Sequence, residues 1–128
     1  MTSSIRLALA LAMSLAIVPA AFAAPPTKTA KTDKGNVLTD AKGMTLYTFD
    51  KDADGKSACN GPCATNWPPL MAAADAKASG DWTIVTRDDG SKMWAYKGKP
   101  LYTFAKDTKP GDTTGDGFLN GAWHMAKP

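Results

Sequence analysis

The chain states one pattern twice, 55 residues apart. Leu46-Tyr47-Thr48-Phe49 returns as Leu101-Tyr102-Thr103-Phe104, and an aspartate follows each phenylalanine three residues on, at Asp52 and Asp107. At the same offset Lys42-Gly43 matches Lys97-Gly98 and Gly35 matches Gly90, while Trp67 finds Trp123 once one inserted residue is allowed. A repeat of this kind is one supersecondary unit that cannot bury its apolar face alone and needs its copy beside it. Whatever the chain folds into must therefore hold two like units against each other.

Residues 1–23 read as a secretory signal. Arg6 precedes an apolar run from Leu7 to Val18, and Ala21-Phe22-Ala23 gives the small-residue cleavage pattern. The run is too short for the roughly 20 residues of a membrane span, which argues against an N-terminal anchor. No cysteine stands near the cleavage site to carry a lipid, so the expected product is soluble, in the periplasm or secreted. From Ala24 to Lys34 the chain is Ala, Pro, Thr and Lys with a single Asp and no large apolar residue, and is expected to be a disordered tether. The domain is expected over 35–128, with repeat 1 at about 35–70 and repeat 2 at about 90–125.

All twelve acidic residues are aspartate. Without glutamate, the Glu-to-Lys pairs that support helices cannot form, and aspartate favours turns. The lysines are scattered, which excludes a nucleic-acid stripe or a basic membrane helix as partner surface. Val37-Leu38, a turn at Asp40–Gly43 and a return over Met44–Phe49 read as a β-hairpin. Met93–Tyr96, Lys97-Gly98 and Leu101–Phe104 repeat it, with Pro100 at the start of the return strand. Trp82–Thr86 is a further strand, and the alanine-rich stretch from Met71 to Ser79 reads as loop. Alternation puts Tyr47 and Phe49, like Tyr102 and Phe104, on one face of their strands and Leu46 and Leu101 on the other. The fold class that follows is all-β, mainly antiparallel: a small single domain of two related β-hairpin repeats with long loops and little helix.

Tyr47, Phe49 and Asp52, with Tyr102, Phe104 and Asp107, fit a Tyr-x-(Phe/Trp)-x-x-Asp motif in both copies. With Cys59-Asn60-Gly61-Pro62-Cys63 and Trp67-Pro68-Pro69 between them, the chain from Gly35 to Met125 resembles the bacterial secreted repeat of unknown function, a family that includes predicted lipoproteins. The resemblance implies an exported β domain and no particular reaction. The missing lipid-carrying cysteine departs from the lipoprotein members.

Several constellations admit a chemical and a structural reading. Cys59 and Cys63 are the only cysteines, and export favours a disulfide, whose short loop contributes about 2 kcal/mol. Alternatively, Cys59 and Cys63 with His124 and Met125 make a soft ligand set for copper. Asp50, Asp52, Asp54 and Gly55 open like a calcium loop, yet Gly61 stands where a closing bidentate carboxylate belongs, so calcium binding would be weak. Asp52 and Asp107 are either turn caps or a carboxylate pair of a hydrolase. Ser57, Ser79 and Ser91 sit in no nucleophile context. Trp67, Trp82, Trp94 and Trp123 with Tyr47, Tyr96 and Tyr102 are either core or a ligand-stacking surface. The reading favoured by the sequence is a non-catalytic envelope module without cofactor, binding or scaffolding an envelope protein or ligand. The metal-binding protein and the Asp52/Asp107 hydrolase stand behind it.

Overall fold

The computed structural model describes residues 27–128; the expected leader and the first residues of the expected tether lie outside that range. The elements run β1 (Thr27–Thr32), β2 (Gly35–Asp40), β3 (Tyr47–Phe49), α1 (Pro62–Asn66), β4 (Trp82–Thr86), β5 (Lys92–Tyr96), β6 (Lys99–Pro100), α2 (Phe118–Gly121) and β7 (Trp123–Met125). Every strand pairing is antiparallel: β1 with β2, β3 with β7, and β4 with β5 and β5 with β6. The protein is a small all-β domain.

The expected tether is corrected by β1. Thr27–Thr32 pairs with β2 along its whole length, from Thr27 opposite Asp40 to Thr32 opposite Gly35. Ala30 is its one apolar residue and packs on the core. Backbone hydrogen bonds and the strand preference of threonine hold the rest, so large apolar side chains were not required. A shift of 55 carries Ala30 to Val85, which sits opposite Met93 as Ala30 sits opposite Val37. β1 is thus the repeat 1 counterpart of β4, and the units begin at β1 and β4 rather than at Gly35 and Gly90.

The hairpins are also less self-contained than the sequence suggests. Each return strand starts beside its own partner: Leu46 N–H donates to Leu38 O at 2.9 Å, and Leu101 N–H to Trp94 O at 3.0 Å. Then it crosses. Tyr47 and Tyr102 exchange both backbone hydrogen bonds, at 2.7 and 3.0 Å, which places the pseudo-two-fold axis between them. Leu101–Phe104 forms no regular strand of its own; Tyr102 bridges Tyr47 and Pro69.

The last segment of each repeat belongs to the other repeat's sheet. Leu38 N–H donates to Ala126 O (2.9 Å) and Ala126 N–H to Leu46 O (2.8 Å). In the other half Trp94 N–H donates to Leu70 O (2.8 Å) and Leu70 N–H to Leu101 O (2.9 Å). Farther along, Asp50 N–H reaches Ala122 O at 2.8 Å as Ala105 N–H reaches Asn66 O at 2.9 Å. The same bonds recur across the axis, so strand exchange is the principle of the fold.

Alternation divides the interior in two. Tyr47, Phe49, Tyr102 and Phe104 lie in one cluster with Trp67, Trp123, Val37 and Met93. Leu46 and Leu101 lie in the other with Leu38, Leu70 and Trp94. The turn at Lys97-Gly98 has both residues at positive φ, 50° and 82°, which a tight two-residue hairpin turn requires.

Candidate functional site

The repeated motif is wired across the axis. Tyr47 OH donates to Asp107 Oδ2 at 2.6 Å, and Tyr102 OH donates to Asp52 Oδ2 at 2.6 Å, so each tyrosine is bound by the other copy's aspartate. The second oxygen of each carboxylate ties its own loop: Asp52 Oδ1 accepts Ala58 N–H at 2.7 Å, and Asp107 Oδ1 accepts Thr114 N–H at 3.1 Å as well as the Thr114 hydroxyl. Both tyrosines have 0% of their surface exposed. Asp52 and Asp107 thus each bind a tyrosine of the other copy and a backbone N–H of their own loop.

The aromatic rings follow the same crossing. Phe49 stacks on Trp123 (centroids 4.2 Å apart), Trp123 on Trp67 (3.7 Å, interplanar angle 2°) and Trp67 on Phe104 (4.0 Å), a column in which the copies alternate. Tyr47 meets the edge of Trp67 and Tyr102 that of Trp123, at 5.4 and 5.1 Å. Stacked and edge-on pairs each contribute about 0.5 to 1.5 kcal/mol beyond burial. Trp123 Nε1 is buried without a hydrogen-bond partner among the described residues. Stacking, rather than a hydrogen bond, sets that ring. Of the seven Trp and Tyr residues, only Trp82 and Tyr96 are half-buried, and they pack on each other at 4.8 Å.

Burial moves the motif's titrations. Desolvation, with the neighbouring carboxylate, pushes the Tyr47 and Tyr102 hydroxyls far above the ordinary 10.0. Desolvation also raises Asp52, against the lowering influence of the Tyr102 hydroxyl, Ala58 N–H and Arg87. Folding thus favours protonated Asp52. The stability it contributes is full below the unfolded value near 3.8 and is lost as pH rises through the raised folded one.

Around Tyr102 the structure adds two groups that sequence reasoning did not assign. Ser57 Oγ lies 2.6 Å from Tyr102 OH, and the buried Arg87 guanidinium donates to Ser57 Oγ (3.1 Å), Cys59 O (2.7 Å) and Asn60 Oδ1 (3.3 Å). Arg87 occupies the position at which repeat 1 has Thr32 and is the chain's only arginine besides Arg6, a rarity by which the sequence could have singled it out. Cys59 and Cys63 form a disulfide, with Cα atoms 5.2 Å apart, and Pro62 opens α1 inside the loop. A disulfide offers no thiolate to copper, and His124 is bonded elsewhere: its Nε2 lies 2.9 Å from Asp50 Oδ2. The copper set of Cys59, Cys63, His124 and Met125 is thus not assembled. Nor do the three aspartates of the candidate calcium loop converge. Asp50 goes to His124, Asp52 to Tyr102, and Asp54 lies against the Lys97-Gly98 turn, where a Cβ on Gly98 would collide with its carboxylate. Among the described residues no three His, Cys, Asp or Glu side chains form a metal-ligand group.

What the structure does bring together is a cleft of about 690 Å³ between the β3–β7 ladder and the Lys97-Gly98 turn. Its lining brings together the acidic Asp50 and Asp54, His124, the basic Lys97, Lys99 and Lys127, and the apolar Phe49 and Leu101. Asp52 also reaches it, whereas Asp107 is buried away from it. The same place across the axis is built differently: Ala105 stands for Asp50, Pro68 for His124 and Met71 for Lys127. There Pro110 packs on the Gly43 turn and the Thr45 hydroxyl donates to Asp112 O at 2.7 Å, so the long loop after Asp107 covers the ground.

A family model described as a secreted repeat of unknown function matches the chain twice, at residues 28–71 and 83–127, and the chain belongs to that family. The matched segments begin inside β1 and β4, in agreement with the unit boundaries seen in the fold. No curated protein and no solved structure matches it. No helix among the described residues is long and apolar enough to cross a membrane.

Proposed function

We propose, with membership of the secreted-repeat family as the premise, that the protein is an exported non-catalytic binding module. The repeats are its scaffold and the one-sided cleft its ligand site. It works as a soluble domain in the periplasm or outside the cell once residues 1–23 are removed. One observation carries the reading: the motif residues common to both copies are spent on each other inside, whereas three of the cleft's charged residues, Asp50, His124 and Lys127, appear at positions where the other copy has Ala105, Pro68 and Met71. A scaffold needs symmetry; a ligand site needs chemistry on a surface. Acidic and basic side chains lining one cleft suit a ligand carrying both charges, such as a peptide segment of an envelope protein.

The test is nuclear magnetic resonance of the isotopically labelled protein titrated with solubilised envelope proteins. Shifts confined to Asp50, Asp54, Lys97, Lys99 and His124, and abolished in Lys99→Gln, are the expected result. Shifts spread elsewhere, or conversion of the added material, would end the proposal. The Asp50–His124 pair supports a second reading, a divalent cation held at the cleft rim. Element analysis of protein purified from its native compartment, beside His124→Ala, decides between a metal and an organic ligand.

A further inference from the structure

We infer that the face each repeat presents to the other is also a docking surface for a second copy of this chain, which supplies the complementary repeat in exchange. Three observations carry this. The hydroxyl bonds of the motif run only between copies, Tyr47 to Asp107 and Tyr102 to Asp52. The aromatic column alternates copies ring by ring. Each repeat's terminal segment, around Leu70 and Ala126, completes the sheet of the other. None of these contacts depends on which chain provides the partner repeat.

Only the loop between the repeats keeps the pairing within one chain. Residues 73–80 lie outside all named strands, and most of their side chains are exposed. The disulfide lies wholly within repeat 1, so no covalent bond besides this loop joins the halves. A short flexible connection gives its ends an effective concentration on the order of mM, which favours closure on itself in dilute solution. Shortening the loop removes that advantage. Met71 bridges Met93, Met93 lies opposite Val85, and Trp82 is three residues before Val85 on β4. Two strand spacings across and three residues along put Met71 about 14 Å from Trp82. With 73–80 removed, three Cα steps remain, reaching at most about 11 Å. Such a chain cannot close within itself while keeping both sheets, but two chains can close on each other, as in domain swapping.

The experiment uses the full mature chain lacking residues 73–80, examined by light scattering after gel filtration and by near-ultraviolet circular dichroism of the tryptophan stack. A folded species of twice the chain mass, with the stack's signal retained, is expected; a folded monomer overturns the inference. A second measurement is independent of whether that variant folds. A protease site placed between Ala74 and Asp75 of the otherwise intact chain is cut after folding. Light and ¹⁵N-labelled preparations are then mixed, unfolded in urea and refolded. Native mass spectrometry should find mixed-isotope pairs in the proportion of random assortment. Halves that separate on gel filtration after cutting, or that refold without pairing, overturn the inference.

Discussion

Tyr47 and Tyr102 are related by the axis and carry the same bonds to the opposite aspartate, yet their surroundings part beyond it. Tyr47 OH also accepts the Gly115 backbone N–H at 3.3 Å, whereas Tyr102 OH meets Ser57 Oγ at 2.6 Å with the Arg87 guanidinium behind it. Gly115 is pressed so closely that a Cβ would lie 2.7 Å from the Trp67 ring. Repeat 2 thus closes around Tyr47 with backbone, whereas repeat 1 closes around Tyr102 with the Ser57 side chain beside a disulfide loop, which the Arg87 guanidinium of repeat 2 reaches across to bind. The difference shows which parts of a duplicated unit folding constrains. The crossing Tyr, Phe, Asp and Trp positions hold both copies together at once; the loops after each aspartate meet the other repeat through different residues, Ser57 to Asn60 through Arg87 and Pro110 to Asp112 through Gly43 and Thr45, and have diverged into a cover at one end and a cleft at the other.

The largest effect should come from breaking the shared part. Tyr47→Ala and Tyr102→Ala each remove a fully buried ring and orphan a carboxylate, and each should cost about 3 to 5 kcal/mol, seen as a severe fall in Tm. Equal losses mean that the axis dominates. A markedly greater loss at Tyr102 would show that the Ser57–Arg87 side carries the stability. Stable tyrosine variants that lose a ligand would overturn the assignment of the motif to the scaffold.

Alkali sharpens the same comparison. Both hydroxyls titrate far above their unfolded value of 10.0, so above that pH the unfolded chain releases protons that the folded chain retains. Stability must then fall as pH rises, with a slope that approaches about 1.4 kcal/mol per pH unit for each tyrosine well above pH 10. Urea unfolding between pH 10 and 11 should show the doubled slope in the parent and about half of it in either Tyr47→Phe or Tyr102→Phe. A parent slope that matches one tyrosine would mean that one of the two sites opens to solvent.

Next in size is the disulfide, which only repeat 1 possesses. Cys59→Ser with Cys63→Ser should lower stability by about 2 kcal/mol without unfolding the domain. If the loss greatly exceeds this, the loop is positioning Arg87 through Cys59 O rather than merely limiting the unfolded chain, and adding Arg87→Ala to the cysteine variant should then cost little more.

Much of this was legible in the sequence, and the omissions share a physical cause. The 55-residue offset, the alternation of Leu46 against Tyr47 and Phe49, and the strand at Trp82–Thr86 all appear as read, because burial imposes residue types at fixed spacing. β1 escaped because it buries little more than Ala30; carrying the offset back from β4 would have found it. The crossing of the hydroxyl bonds could not be read, since Tyr47 paired with Asp52 and Tyr47 paired with Asp107 demand the same residues. The cleft escaped for a related reason. Its charged residues come from three separated segments, and only the exchange of the strand carrying His124 brings them to Asp50.

The smallest stability effect should lie at that cleft, and it tests the division between shared and unshared residues most directly. Asp50 and His124 are both well exposed, with side chains 61% and 48% accessible, and exposed ion pairs contribute roughly 0 to 1 kcal/mol. Asp50→Asn should therefore shift the unfolding midpoint in urea by no more than experimental scatter, as should Lys99→Gln. Ligand-induced resonance shifts should nevertheless disappear in both. Asp112→Asn supplies the contrast. Asp112 belongs to the loop that covers the equivalent ground, and its carboxylate, held below its usual range by Thr108 and Lys109 N–H groups, ties that loop. That variant should lose stability and keep the cleft's binding. Were Asp50→Asn instead to destabilise the fold as much as Asp112→Asn, the pair with His124 would be a fastening of the β3–β7 ladder, and the two ends of the molecule would be scaffold alike.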